Sequence, residues 1–72
     1  MKPEEVSKLQ AYMQHKFKNN GFALKIREKT KDSVEVILNG EFIGLIYKDE
    51  DEGEISYNFD MAILDIDLKE IV

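Results

Sequence analysis

The dipeptide Asn39-Gly40, set between Val34-Glu-Val-Ile-Leu38 and Glu41-Phe-Ile-Gly-Leu-Ile-Tyr47, constrains this chain more than any other feature. A two-residue type I′ turn needs positive φ at both central positions, and Asn-Gly between two β-prone runs is the strongest short-range signal for it. Turn length then sets the register, and register decides which side chains share a face. A two-residue turn pairs Leu38 with Glu41, Ile37 with Phe42, Val36 with Ile43 and Val34 with Leu45. One face then holds Val34, Val36, Leu38, Ile43, Leu45 and Tyr47. The other holds Ile37, Phe42 and Ile46 around Gly44.

Residues 3–18 read as a helix. Pro3 suits the first helical position, and Glu4 and Glu5 complement the positive end of the helix dipole. Val6, Leu9, Met13 and Phe17 recur at helical spacing, with Tyr12 at the border of the stripe. No strong N-cap precedes Pro3, and Asn20-Gly21 offers the C-terminal stop. Phe22, Leu24 and Ile26 alternate with Ala23, Lys25 and Arg27, as in a half-buried strand. Lys48 to Gly53 reads as an acidic loop, and Ile55 to Ile63 as a fourth strand. The end supports two readings. Leu64, Ile66 and Leu68 alternate as in a strand after a one-residue slip, while Met61, Leu64, Leu68 and Ile71 fit a helix with Asp60 as N-cap. The expectation is a strand to about Ile63, then a short helical or irregular tail. Short connections make neighbours in sequence neighbours in space. The expected fold class is therefore α+β: one domain over residues 1–72, with an N-terminal helix packed on a four-stranded antiparallel β-meander.

Seventy-two residues bury only about 60% of the surface their unfolded chain exposes, so small domains usually need a staple. The chain has no cysteine, which excludes disulfides and thiolate metal sites. A second copy of the chain is the staple left. The opening Met-Lys-Pro-Glu-Glu lacks the apolar core of a signal peptide, and no apolar run approaches a membrane span. A cytoplasmic protein is expected. Net charge is −5, but residues 1–31 carry +5 and residues 32–72 carry −10. Such polarity suits either a charged partner or mutual neutralisation across neighbouring strands.

A strand apolar on both sides, such as Phe42–Tyr47, should be central and covered twice. One helix covers one face. The candidate covers for Ile37, Phe42 and Ile46 are the chain's own tail, through Ile66, Leu68, Ile71 or Val72, and another protein, either an identical copy or a different partner; the remaining reading is a patch small enough to be tolerated uncovered. Ile37, Phe42, Ile46 and Asn58 therefore form the candidate partner interface.

Candidate chemistry is sparse. His15 is the single histidine and lies opposite the apolar stripe, with no nucleophile or second ligand set beside it. Asp49-Glu50-Asp51-Glu52-Gly53 offers oxygen ligands of the kind calcium favours, but without EF-hand spacing. Asp60, Asp65 and Asp67 lack the enclosed cleft that acid–base work requires. Ser7, Ser33 and Ser56 lie in no nucleophile-elbow motif, and no glycine-rich phosphate loop is present. Lys16, Lys18, Lys25 and Arg27 form a candidate basic patch, continued in sequence by Lys29 and Lys31. With Phe17 and Phe22 nearby it suggests RNA contact, although an acidic chain gains little non-specific affinity for phosphate. No enzyme, metal or cofactor is expected. The expected role is a small self-associating interaction module. The alternative is weak RNA or ribosome association through Lys16–Lys31, and the third is a cation or small-ligand site in the acidic loop.

The run Glu41 to Tyr47, the acidic Asp49 to Glu54 and above all Ser56-Tyr-Asn-Phe-Asp-Met-Ala-Ile-Leu-Asp-Ile-Asp-Leu68 carry a likeness, joined by Met1 to Val6 and Lys8 to Tyr12. Together they resemble a family of short uncharacterised proteins from alphaproteobacteria, classed as a domain of unknown function. The resemblance implies a bacterial, cytoplasmic origin. It implies no activity and assigns no site residue.

Overall fold

The computed structural model describes residues 1–27, 29 and 32–71. Among these the chain forms α1 (Pro3–Lys16), β1 (Phe22–Ile26), β2 (Ser33–Leu38), β3 (Glu41–Asp51), β4 (Glu54–Asp60) and α2 (Asp65–Glu70). The strands make one antiparallel sheet in the order β1-β2-β3-β4, so the α+β meander is as expected.

Helix α1 starts on a device the sequence reading passed over. Glu5, at the third helical position, accepts the Lys2 backbone N–H at 3.2 Å, which satisfies one of the amides a helix start leaves open. The helix ends two residues earlier than expected. Lys18, not Gly21, takes the left-handed conformation at φ 52°. The Lys18 N–H donates to the His15 carbonyl and the Asn19 N–H to the Gln14 carbonyl, which together make a Schellman closure.

Gln10 and Gln14 join the helix to the outer edge of β1. Gln10 Oε1 accepts the Leu24 N–H at 2.9 Å, and Gln14 Nε2 donates to the Phe22 carbonyl at 2.9 Å. These bonds close polar backbone groups that an edge strand would otherwise present to a foreign strand. The Phe17 and Phe22 rings lie 5.2 Å apart at the same end. Phe22 is buried, whereas Phe17 remains 54% exposed and so is less of a core residue than the helical stripe suggested.

The turn is as expected: Asn39 (φ 52°) and Gly40 (φ 87°) both lie in the left-handed region, and Leu38–Glu41 and Ile37–Phe42 pair across it. Beyond them the expected register fails. A bulge falls between Val36 and Ile37 on β2, so Val36 faces Gly44, Glu35 faces Leu45 and Val34 faces Ile46. One extra residue in β3, Ile43, inverts the phase of everything after it. Ile46, expected opposite the helix, is 2% exposed and packs in the core with Val6, Met13, Phe22, Val34 and Val36. Leu45 and Tyr47 move to the far face. Gly44 sits where the bulged strand runs close to β4, and a Cβ there would collide with the Asp60 carbonyl oxygen.

The acidic loop is largely strand. β3 runs through Asp51, and Glu52 (φ 52°) with Gly53 (φ 82°) forms a second two-residue turn. Alternation along β3 sends Asp49 and Glu50 to opposite faces, and among the described residues no group of three or more His, Asp or Glu side chains gathers as a metal site. β4 stops at Asp60, short of the expected Ile63. The tail is helical, with Leu64 rather than Asp60 at its N-cap, and Asp67 accepts the Leu64 N–H at 2.9 Å.

Two substitutions test this description in denaturant melts. Lys18→Gly should stabilise the protein by about 0.5–1 kcal/mol, because glycine occupies a left-handed position without the steric cost lysine bears. Ile46→Ala should cost about 2–4 kcal/mol, as for other fully buried aliphatics, while Phe42→Ala should cost less than about 1 kcal/mol. Equal losses at the two positions would contradict the bulged register.

Candidate interaction surface

The sheet leaves two surfaces uncovered. The first is the face away from α1, where the register places Ile37, Phe42, Leu45 and Tyr47 among Lys25, Glu35, Asn58 and Asp60. Phe42 is 56% exposed there, Ile37 and Leu45 are half-buried, and Asn58 stands opposite Tyr47. Three of the four expected interface residues, Ile37, Phe42 and Asn58, thus share a face, and Ile46 does not. The tail does not cover this face: Ile66, Leu68 and Ile71 are each more than half exposed. Val72, the remaining candidate cover, lies outside the described residues.

The second surface was not anticipated. It is a groove of about 650 Å³ between α1 and β4, with Leu9, Tyr12, Met13 and Phe17 on one wall, Tyr57 and Phe59 on the other, and Ile46 beneath. A helix is about 10 Å across, whereas four strands at roughly 4.8 Å spacing span nearly twice that. α1 crosses the sheet obliquely. Its C-terminal half is fastened to β1 by Gln10 and Gln14, and its first turn reaches β3 and β4 through Glu5. A wedge of apolar sheet therefore lies open beside its C-terminal half. The sequence signal for it was the alternation of Ile55, Tyr57 and Phe59, which put three large side chains on a strand that the single helix is too narrow to roof.

Glu5 fixes the closed end of the wedge. Its Oε2 accepts from the Tyr57 hydroxyl at 2.7 Å and from Lys48 Nζ at 2.7 Å, and Lys48 also meets Glu50 at 3.1 Å. The Lys48 ammonium, then the Tyr57 hydroxyl and the Lys2 amide, hold the Glu5 carboxyl down to about 2 from its ordinary 4.5. The same carboxylate, with Glu50, raises Lys48, and it raises the Tyr57 phenol. The trio clasps helix to sheet and holds no space between its members for a substrate.

The expected basic patch divides. Lys16 lines the groove and Lys18 follows at the helix end, whereas Lys25 pairs in register with Glu35 on the far face and Arg27 Nη1 donates to Ser33 Oγ at 3.2 Å. Lys31 lies outside the described residues. Lys25 and Glu35 carry opposite signs on neighbouring strands. His15 is exposed at the helix end.

The Glu5 cluster carries a pH dependence. Above pH 4.5 the carboxylate is ionised whether the chain is folded or not, and its clasp is fully present. Below that the unfolded chain takes up the proton first, so the contribution fades as pH falls towards 2. The denaturant midpoint of Glu5→Gln should lie below that of the unsubstituted chain by a constant margin above pH 5, and the margin should shrink between pH 4.5 and 2. A margin unchanged at pH 2 would contradict the role given to Glu5.

No helix among the described residues is long and apolar enough to cross a membrane. Comparison with curated proteins and with solved structures yields no match. The family described as Protein of unknown function (DUF3126) matches residues 5–67, a span running from the Glu5 clasp through the sheet and into α2, and the chain belongs to that family.

Proposed function

We propose that this chain is a small non-catalytic interaction module that self-associates through a face of its sheet. One observation carries the reading: the protomer exposes too much surface for its mass. A compact monomer of 8.4 kDa exposes about 4,600 Å² by the usual area–mass scaling, whereas this chain exposes 5948 Å². The excess of roughly 1,300 Å² is more than the ~800 Å² that each partner of a standard-size interface buries. Many large apolar side chains are exposed, and the six buried apolar side chains make a small core among the described residues. Association supplies the staple that the cysteine-free sequence cannot supply as a disulfide and that no metal-binding cluster supplies among the described residues.

The alternative, RNA or ribosome association through Lys16–Lys31, draws less support. Its cations divide between the groove and the far face, and a phosphate backbone engages cations presented together on one side.

Sedimentation velocity on the purified chain tests the proposal. The expected result is a concentration-dependent species of about twice 8.4 kDa. A chain that remains monomeric up to about 1 mM, where even weak association would register, overturns it.

A further inference from the structure

The segment after β4 is unlike the rest of the fold. Met61, Ile63, Leu64, Ile66, Leu68 and Ile71 are each 53–82% exposed. Every residue from Met61 to Ile71 is exposed, and α2 has no buried residue. The molecule is 44 Å long against 23 and 22 Å in its other dimensions, and its radius of gyration of 13.4 Å exceeds the ~11 Å of a compact chain this size. Residues 61–71 are thus an apolar arm without a seat, on a protomer that also has an apolar groove without an occupant.

We infer that the arm of one copy seats in the α1–β4 groove of a second copy, and reciprocally, to form a two-fold dimer by arm exchange. The inference rests on the self-association reading and names its surfaces. Leu68 within α2 is flanked by Leu64 at the N-cap and Ile71 at the C-cap, an apolar set suited to a groove walled by Tyr12, Phe17 and Phe59. The charges agree. Lys8 and Lys16 line the groove, and α2 carries Asp65, Asp67 and Glu70 against the single cation Lys69, which already pairs with Asp65 at 3.5 Å.

The arm belongs in a neighbour's groove and not its own. To enter its own groove the chain would have to reverse after Asp60, yet Met61-Ala-Ile-Leu64 contains none of the Gly, Pro, Asn, Asp or Ser residues that make reversals, and Leu64 is extended at ψ 151°. Exchange also roofs the part of the helix-side face that α1 leaves open. The same two patches are used on both chains, so the contact closes on itself and stops at two.

The cysteine-free chain permits a direct test. Full-length Tyr12→Cys and Leu68→Cys variants are mixed under oxidising conditions, and a Tyr12→Cys/Leu68→Cys double variant is oxidised alone at low concentration. Exchange predicts rapid covalent dimer in the mixture and slow self-linking of either single variant. In parallel, Leu68→Asp should weaken the dimer about 30-fold or more while its circular dichroism stays unchanged, and Phe42→Glu should leave the dimer intact. Four results overturn the inference. One is a covalent bond formed only within single chains of the double variant, which places the arm on its own groove. Another is no link in the mixture. A third is a dimer that survives Leu68→Asp but is lost in Phe42→Glu, which keeps self-association and moves it to the far face. The last is an unsubstituted chain that never dimerises, which removes the parent reading as well.

Discussion

A single helix cannot roof four strands, and most of what is unusual here follows from that mismatch of widths. α1 spends its reach on β1, whose edge it closes with two glutamine side chains, and its polar contacts with β3 and β4 come from Glu5 in its first turn. The core accordingly gathers under the helix around Val34, Val36 and Ile46. Most of β4 outside Tyr57 and Phe59 is left largely to solvent. A strand of that kind keeps its shape through its ladder to β3 more than through burial, and the acidic side chains along it discourage stray pairing.

The Glu5–Tyr57–Lys48 cluster acquires its importance from the same oblique crossing. The hydroxyl and carboxylate that meet are 52 residues apart in the chain, and they join the start of the helix to the strand the helix fails to cover. The partners are only partly shielded, so the clasp serves to orient rather than to supply most of the stability. It decides the angle of α1, and hence which part of the sheet stays open.

The element order was legible because its signals are local: the helical stripe from Val6 to Met13, the alternation of Phe22 to Ile26, and Asn39-Gly40. What escaped was phase. Glu41 to Tyr47 is apolar at nearly every position, so a period of two runs through the bulge without a visible break, and Ile46 was placed on the wrong face. Gly44 was the available clue, since an isolated glycine inside a strand often marks a bulge or a close approach. Glu52-Gly53 was hidden differently. Its flanking residues are acids with low strand preference, and only the pairing of β3 with β4 overrides that preference. Of the four residues read as one interface, three share a face because their register lies before the slip or on a strand that inherits it. The groove was foreshadowed only by the alternation of Ile55, Tyr57 and Phe59, because its opening depends on the helix angle, which a contact between residues 5 and 57 helps to set.

The two tight turns have a kinetic consequence. Each strand pairs with the next one along the chain, so the sheet is built from near-neighbour contacts, and such topologies cross their folding barrier quickly. Hairpins of this sort close in about 1–10 μs. The arm beyond Asp60 takes no part in those pairings. The protomer therefore completes its sheet as a first-order event, and any engagement of the arm with another molecule is a later, second-order one whose rate the cell sets through concentration.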